Sequence, residues 1–151
     1  MNPVDRLVAI EEIKQLKARY CRFVDLQDWP AFRTLFADDA TLFFPENYDT
    51  ASTIDDFMET VGAALAGAVT IHHAVMPEIE IVDDHNARGV WAMQDALYFP
   101  PGAKGLARAS EIHGAGHYHE SYVCTNGRWL FASIRLSRLR LAALPQPRRV
   151  E

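Results

Sequence analysis

The chain has 151 residues, a formal net charge of -5, 49% hydrophobic residues and 23% charged residues. That length fits one domain with one core, and the acidic balance excludes general nucleic-acid binding, which needs a basic face against phosphate. No apolar run approaches the ~20 residues of a membrane span, and the two cysteines, Cys21 and Cys124, are too few for a disulfide framework or a four-cysteine zinc site. The opening MNPVDRLVAI lacks the basic start and long apolar stretch of a signal peptide, so the expected location is the cytoplasm.

The first predicted element is a helix over residues 5–27. Leu7, Ile10, Ile13, Leu16, Tyr20 and Phe23 recur at steps of three or four and mark one apolar stripe. Asn2 and Asp5 are both suitable caps. Asp28 caps a short second helix with Pro30 in its first turn, carrying Phe32, Leu35 and Phe36 and closed by Asp38-Asp39. Thr41 to Phe44 reads as a short strand. Thr53 caps a third helix that runs to about Ala66 and stops at Gly67.

From Val69 the pattern changes to strands: Val69–Met76, Glu78–Val82, Ala87–Phe99, Ile112–Thr125 and Arg128–Leu141. Asn126-Gly127 is a strong hairpin signal. The predicted fold is α+β: a cone-shaped, curved antiparallel sheet wrapped around the long N-terminal helix, with two further helices and a pocket at the mouth. One domain is expected over 1–144, followed by a flexible tail over 145–151. In the last strand arginines alternate with leucines, which predicts a basic outer face for Arg138 and Arg140.

Several residues carry possible chemistry. Asp25 meets the unfavourable end of the first helix's dipole, and Asp28 already caps the next helix. It reads either as a solvated acid or as a pocket carboxylate. His72 and His73 are adjacent on a strand, so one faces inward. His113, His117 and His119 share one strand face, while Gly114, Gly116, Tyr118, Glu120 and Tyr122 share the other, and the pattern does not choose the inner one. Alternate side chains on a strand lie ~7 Å apart, so only His117 and His119 could chelate together, and no third ligand is fixed; no metal is expected. Trp91, Met93, Asp95 and Leu97 share a face, where Asp95 is costly to bury unless paired or near the mouth. No phosphate loop, nucleophile elbow or Cys-x-x-Cys is present. What remains is acid–base work by histidine and aspartate, needing no cofactor.

Arg19-Tyr20, Asp25, Asp28-Trp29 and Leu35 to Ala40 lie in the first third of the chain. They are followed by Thr70-Ile71-His72, Pro77 to Ile81, Gly116-His117-Tyr118 and Asn126 to Trp129. Together these strings resemble the SnoaL-like group of the nuclear transport factor 2-like superfamily, over residues 5–140. Within it the pattern is similar to the scytalone dehydratases and hexachlorocyclohexane dehydrochlorinases, cofactor-free lyases with an aspartate–histidine dyad. The resemblance implies Asp25 and His72 as that dyad, His117 of Gly116-His117-Tyr118-His119 as a further catalytic group, and Tyr20 as a hydrogen-bond donor. It implies a small-molecule pocket lined by Phe44, Tyr48, Met76, Trp91, Met93 and Tyr118, and assembly as a homodimer or homotrimer. The chain departs from the dehydratases at Val24 and from the dehydrochlorinases at Tyr20 and Ile134, so neither substrate follows. The implied function is a dehydratase-like elimination on a small, largely apolar cyclic or aromatic molecule. The same dyad would also serve a ketone or steroid isomerase or a polyketide cyclase, and the fold also serves non-catalytic ligand-binding or assembly modules.

Overall fold

A computed structural model describes residues 1–45, 50–103 and 108–146. Helix α1 spans Pro3–Asp25, with the Asn2 side chain accepting from the Val4 and Asp5 amides at 2.9 Å each. Its buried positions are Ala9, Ile13, Leu16, Lys17, Tyr20 and Val24. Leu7, expected on the stripe, is exposed. The buried stripe is rotated from the expected one because it includes a lysine, which an apolar pattern assigns to solvent.

Helix α2 (Trp29–Arg33) is capped by Asp28, whose carboxylate accepts from the Ala31 amide at 3.1 Å. Strand β1 then runs Phe36–Phe43. Asp38-Asp39 therefore lies inside a strand and does not close a helix. The pair sits at a register shift with both side chains exposed, while Phe36, Ala40 and Leu42 are buried. Strand β2 is Ser52–Thr53, and helix α3 spans Ile54–Leu65 with Thr53 as its cap.

Strand β3 spans Val69–Ile81 as one element where two were expected. Met76, at φ 49°, and the register shift between Val75 and Glu78 bend it without ending it. Strands β4 (Asn86–Tyr98), β5 (Ala109–Thr125) and β6 (Arg128–Pro145) complete the sheet. Asn126 and Gly127 both take positive φ, 52° and 72°, as a type I′ hairpin needs. Strand β6 continues one residue past the expected domain end at 144, and Gln146 reaches the Pro100 and Ala109 carbonyls. The rest of the expected flexible tail, 147–151, lies outside the described residues.

The strand order is β2-β1-β6-β5-β4-β3. The sheet is mixed, which corrects the antiparallel expectation: β1 runs parallel to β6. The chain enters β1 directly from α2, and Leu35 already accepts from the Phe131 amide. The sheet stays open and curves around α1, giving the expected α+β cone.

Aromatic rings fill the floor of the cone. Tyr20 packs on Phe32 at 5.1 Å between centroids and on Phe131 at 5.5 Å. Phe36 joins Phe32 and Phe131, and Tyr122 joins Phe131. Into this cluster α1 inserts Lys17, whose Nζ lies 3.5 Å from the Tyr118 ring centroid and 3.9 Å from that of Tyr20. Nζ donates to Glu120 Oε1 at 2.5 Å, with both side chains almost fully buried. The Tyr122 hydroxyl donates to the other Glu120 oxygen and accepts from Trp91 Nε1 at 2.8 Å. A buried pair broken on one side leaves an uncompensated charge. Lys17→Met alone is therefore expected to cost ~3–5 kcal/mol in urea unfolding. Lys17→Met with Glu120→Gln is expected to recover most of that loss, since the orphaned carboxylate is gone.

Candidate functional site

Strand β3 is an edge of the sheet, so alternate backbone amides face away from β4. The C-terminal end of α1 lies against that edge. Asp25 Oδ2 accepts from the His72 amide at 3.0 Å. Asp25 Oδ1 accepts from the Thr70 hydroxyl at 2.9 Å and lies 2.6 Å from His72 Nδ1. These three contacts offset the unfavourable helix-end position of the carboxylate. Gln27, at φ 54°, ties the same helix end to α3 by donating to the Leu65 and Ala68 carbonyls at 3.0 and 2.9 Å.

An ionised carboxylate only accepts hydrogen bonds, so His72 Nδ1 carries the proton and Nε2 presents its lone pair. Among the described residues nothing hydrogen-bonds to Nε2. The His72 side chain is 12% exposed and that of Asp25 25%. His72 borders a cleft of about 440 Å³ between α1 and β3, with Lys17, Cys21, Met76 and Trp91 on its walls. A second hollow of about 480 Å³, between α1, α2 and the β5–β6 turn, lies away from this pair and contains neither residue.

The row of inner-face residues continues across the sheet. His72 pairs across strands with Asp95, and Asp95 with Gly114. Arg138, from β6, reaches over Gly114 and places Nη2 2.8 Å from Asp95 Oδ2 and Nη1 3.5 Å from Met93 Sδ. This corrects the basic outer face predicted for Arg138. The β5–β6 register shifts between Ala115 and Gly116, so the alternation on which that prediction rested does not hold there.

The other predicted residues fall as follows. Tyr118 is inward and buried, and His117 is on the outer face, half-buried, with its ring beside that of His119. His117 is thus separated from His72 by the sheet and does not join it. The parity is set by the small inner positions Gly114 and Gly116, where a side chain would collide with Arg138, Asp95 and the Ser137 carbonyl. Tyr20 is 3% exposed and belongs to the aromatic floor, which corrects its assignment as a pocket donor. Phe44 is buried against Phe57 and Tyr118, Trp91 and Met93 are buried on the inner face, and Met76 is exposed at the cleft rim. Tyr48 lies outside the described residues. Sequence reading missed Lys17, Glu120 and Gln27, because no apolar or catalytic pattern marks a buried ion pair or a side chain that caps another helix. Among the described residues no group of three His, Cys, Asp or Glu side chains converges to hold a metal ion. No described helix is long and apolar enough to cross a membrane.

With this geometry, comparison with known proteins is decisive for the family. The SnoaL-like domain profile matches residues 5–135. The chain belongs to the SnoaL-like family. It is similar to the protein named probable cyclase FGR4 of Gibberella zeae, 28% identical over 140 residues, covering 84% of this chain and 89% of that one. Among solved structures, a variant of Rv3472 of Mycobacterium tuberculosis, described as of unknown function, superposes with a TM-score of 0.73 at 25% identity. The match covers 93% of this chain and 78% of the other. The hexachlorocyclohexane dehydrochlorinase of Novosphingobium barchaimii superposes with a TM-score of 0.77 at 16% identity, covering 99% of each chain, a likeness of fold.

Burial pushes the Tyr20, Tyr118 and Tyr122 phenols of this SnoaL-like protein upward, and the neighbouring Glu120 carboxylate adds to it at Tyr20 and Tyr122. A raised phenol stabilises the fold fully below the free-tyrosine pKa of ~10 and loses that contribution as pH rises above it. In a spectrophotometric titration these three rings are expected to stay un-ionised beyond about pH 11 and to ionise only as the protein unfolds. Reversible ionisation of all the tyrosines near pH 10 in the folded state would contradict this.

Proposed function

We propose that this SnoaL-like protein is a cofactor-independent lyase, with His72 as general base and Asp25 as the residue that orients it. The reading rests on one observation: the 2.6 Å contact between His72 Nδ1 and a carboxylate held by two further donors. The substrate is a small, largely apolar cyclic or aromatic molecule with an acidic C–H beside a carbonyl and a leaving hydroxyl or halide. Nε2 takes the proton from carbon, and the C–H electrons form the new double bond. The imidazolium so formed lies against the Asp25 carboxylate, which stabilises its charge. For a leaving hydroxyl, the same imidazolium returns its proton to the departing oxygen, so water leaves and the base is regenerated. Trp91 and Met76 supply apolar wall.

The relative named a probable cyclase supports a second use of the same step. Proton abstraction beside a carbonyl gives an enolate, which closes a ring when a second carbonyl is within reach. The exposed Ile71, Val75, Tyr98, Leu139 and Leu141 on β3, β4 and β6 support assembly as a homodimer or homotrimer.

The test is proton exchange from the α-carbon of 1-tetralone in D2O, followed by NMR. His72→Ala is expected to lower the catalysed exchange ~10²–10⁴-fold and Asp25→Asn about 10²-fold, with Tm close to that of the parent. Undiminished exchange in His72→Ala would remove His72 as the base.

A further inference from the structure

The hollow of about 480 Å³ between α1, α2 and the β5–β6 turn has the size of a small-molecule site, and the proposed reaction does not use it. Its wall on α1 is made by Gln15, Leu16, Arg19 and Phe23. At about 100° per residue these positions lie on the opposite side of the helix from Ala18, Cys21 and Asp25, so α1 separates the hollow from the His72 cleft.

The polar groups there are mostly donors. Arg19 lines the hollow from α1 and Arg128 from the start of β6, and among the described residues neither side chain has an ion-pair or hydrogen-bond partner. Trp129 forms part of the same wall. It is 6% exposed, its indole N–H has no hydrogen-bond partner among the described residues, and the nitrogen is not sealed from solvent. An indole N–H can only donate, and a buried one usually finds an acceptor. Trp91 does so on the Tyr122 hydroxyl. Leu16, Phe23 and Leu35 supply apolar surface beside these donors. Glu12 is the one acid among the described lining residues, so two arginines leave the hollow positive in a chain of formal charge -5.

We infer that this hollow binds a small amphipathic carboxylate, with its anionic head at Arg19, Arg128 and the Trp129 N–H and its apolar body on Leu16, Phe23 and Leu35. The donor set selects the class. A carboxylate has two coplanar acceptor oxygens that match the planar fork of a guanidinium, and it keeps a lone pair for the indole. A neutral ligand would leave both cations unpaired. Inorganic phosphate would meet the donors but leave the apolar surface uncovered. The site does not depend on the lyase reading, because its ligand is held across α1 from the reacting molecule.

The experiment compares 3-phenylpropionate with its neutral isostere 3-phenylpropanamide and with inorganic phosphate. Calorimetry gives the affinities, and ¹⁵N NMR follows the indole N–H signals of the three tryptophans, with Trp129→Phe assigning that of Trp129. The carboxylate is expected to bind about tenfold more tightly than the amide, as charge-assisted hydrogen bonds do. It should shift the Trp129 signal and leave that of Trp91, which lines the His72 cleft, in place. Arg19→Gln combined with Arg128→Gln should reduce the preference to within about twofold while thermal unfolding confirms a folded protein. His72→Ala should change neither affinity nor shift. Equal binding of carboxylate and amide, binding of neither, or a preference that survives loss of both arginines overturns the inference. A shift of the Trp91 signal instead of Trp129 overturns it by placing the probe in the His72 cleft. Phosphate binding as tight as that of the carboxylate overturns it too, since the arginines would then be a plain anion patch.

Discussion

The Lys17–Glu120 pair fixes how α1 lies against the sheet. An aromatic floor is slippery: rings pack acceptably in several registers, and apolar contacts have no direction. An ammonium inserted between two rings and bonded to a single buried carboxylate has one acceptable position. Lys17 and Asp25 are eight residues apart, ~12 Å along the helix, so the pair that locks Lys17 on β5 also sets where Asp25 meets β3. Tyr122 and Trp91 complete the shell around Glu120, tying the same point to β4. The candidate site is in this sense the far end of a lever whose fulcrum is a buried ion pair.

Three polar devices share the inner surface, and each handles its burial differently. The Lys17 and Glu120 groups find partners within the core. Asp25 is bonded by an edge-strand amide, a hydroxyl and an imidazole, and it stays partly open to solvent. Asp95 is satisfied on one oxygen only. The gradient runs from the closed floor of the cone to the α1–β3 edge, and the group with an open valence lies beside the histidine. A protein built only for stability would fill such a position with an apolar side chain.

Much of the architecture is legible in the residues themselves. Asn2, Asp28 and Thr53 are caps because a short acceptor side chain satisfies free amides, whatever lies around them. Asn126-Gly127 forms its hairpin because both positions tolerate positive φ. Asp25 and His72 can be selected as candidates from the strings that resemble the family. These are local or motif-level properties, and local chemistry decides them.

The residues in order were enough for most of the succession of helices and strands, the hairpin and the α+β cone. It took the folded chain to decide which side of each strand faces inward and which charges are buried. The inner face of β5 was ambiguous because glycine and histidine alternate there, and only the crowding of Gly114 and Gly116 against β6 resolves it. Lys17 is inside because Glu120, 103 residues later, awaits it. Arg138 is inside because it keeps the alternation of the buried Ile134 and Leu136, opposite Gly116, while the register shift that follows puts Arg140 on the other face. A charge pattern read along one strand contains no information about its partner on another. The energy that allows burial belongs to the pair, and the pair exists only once the chain has folded.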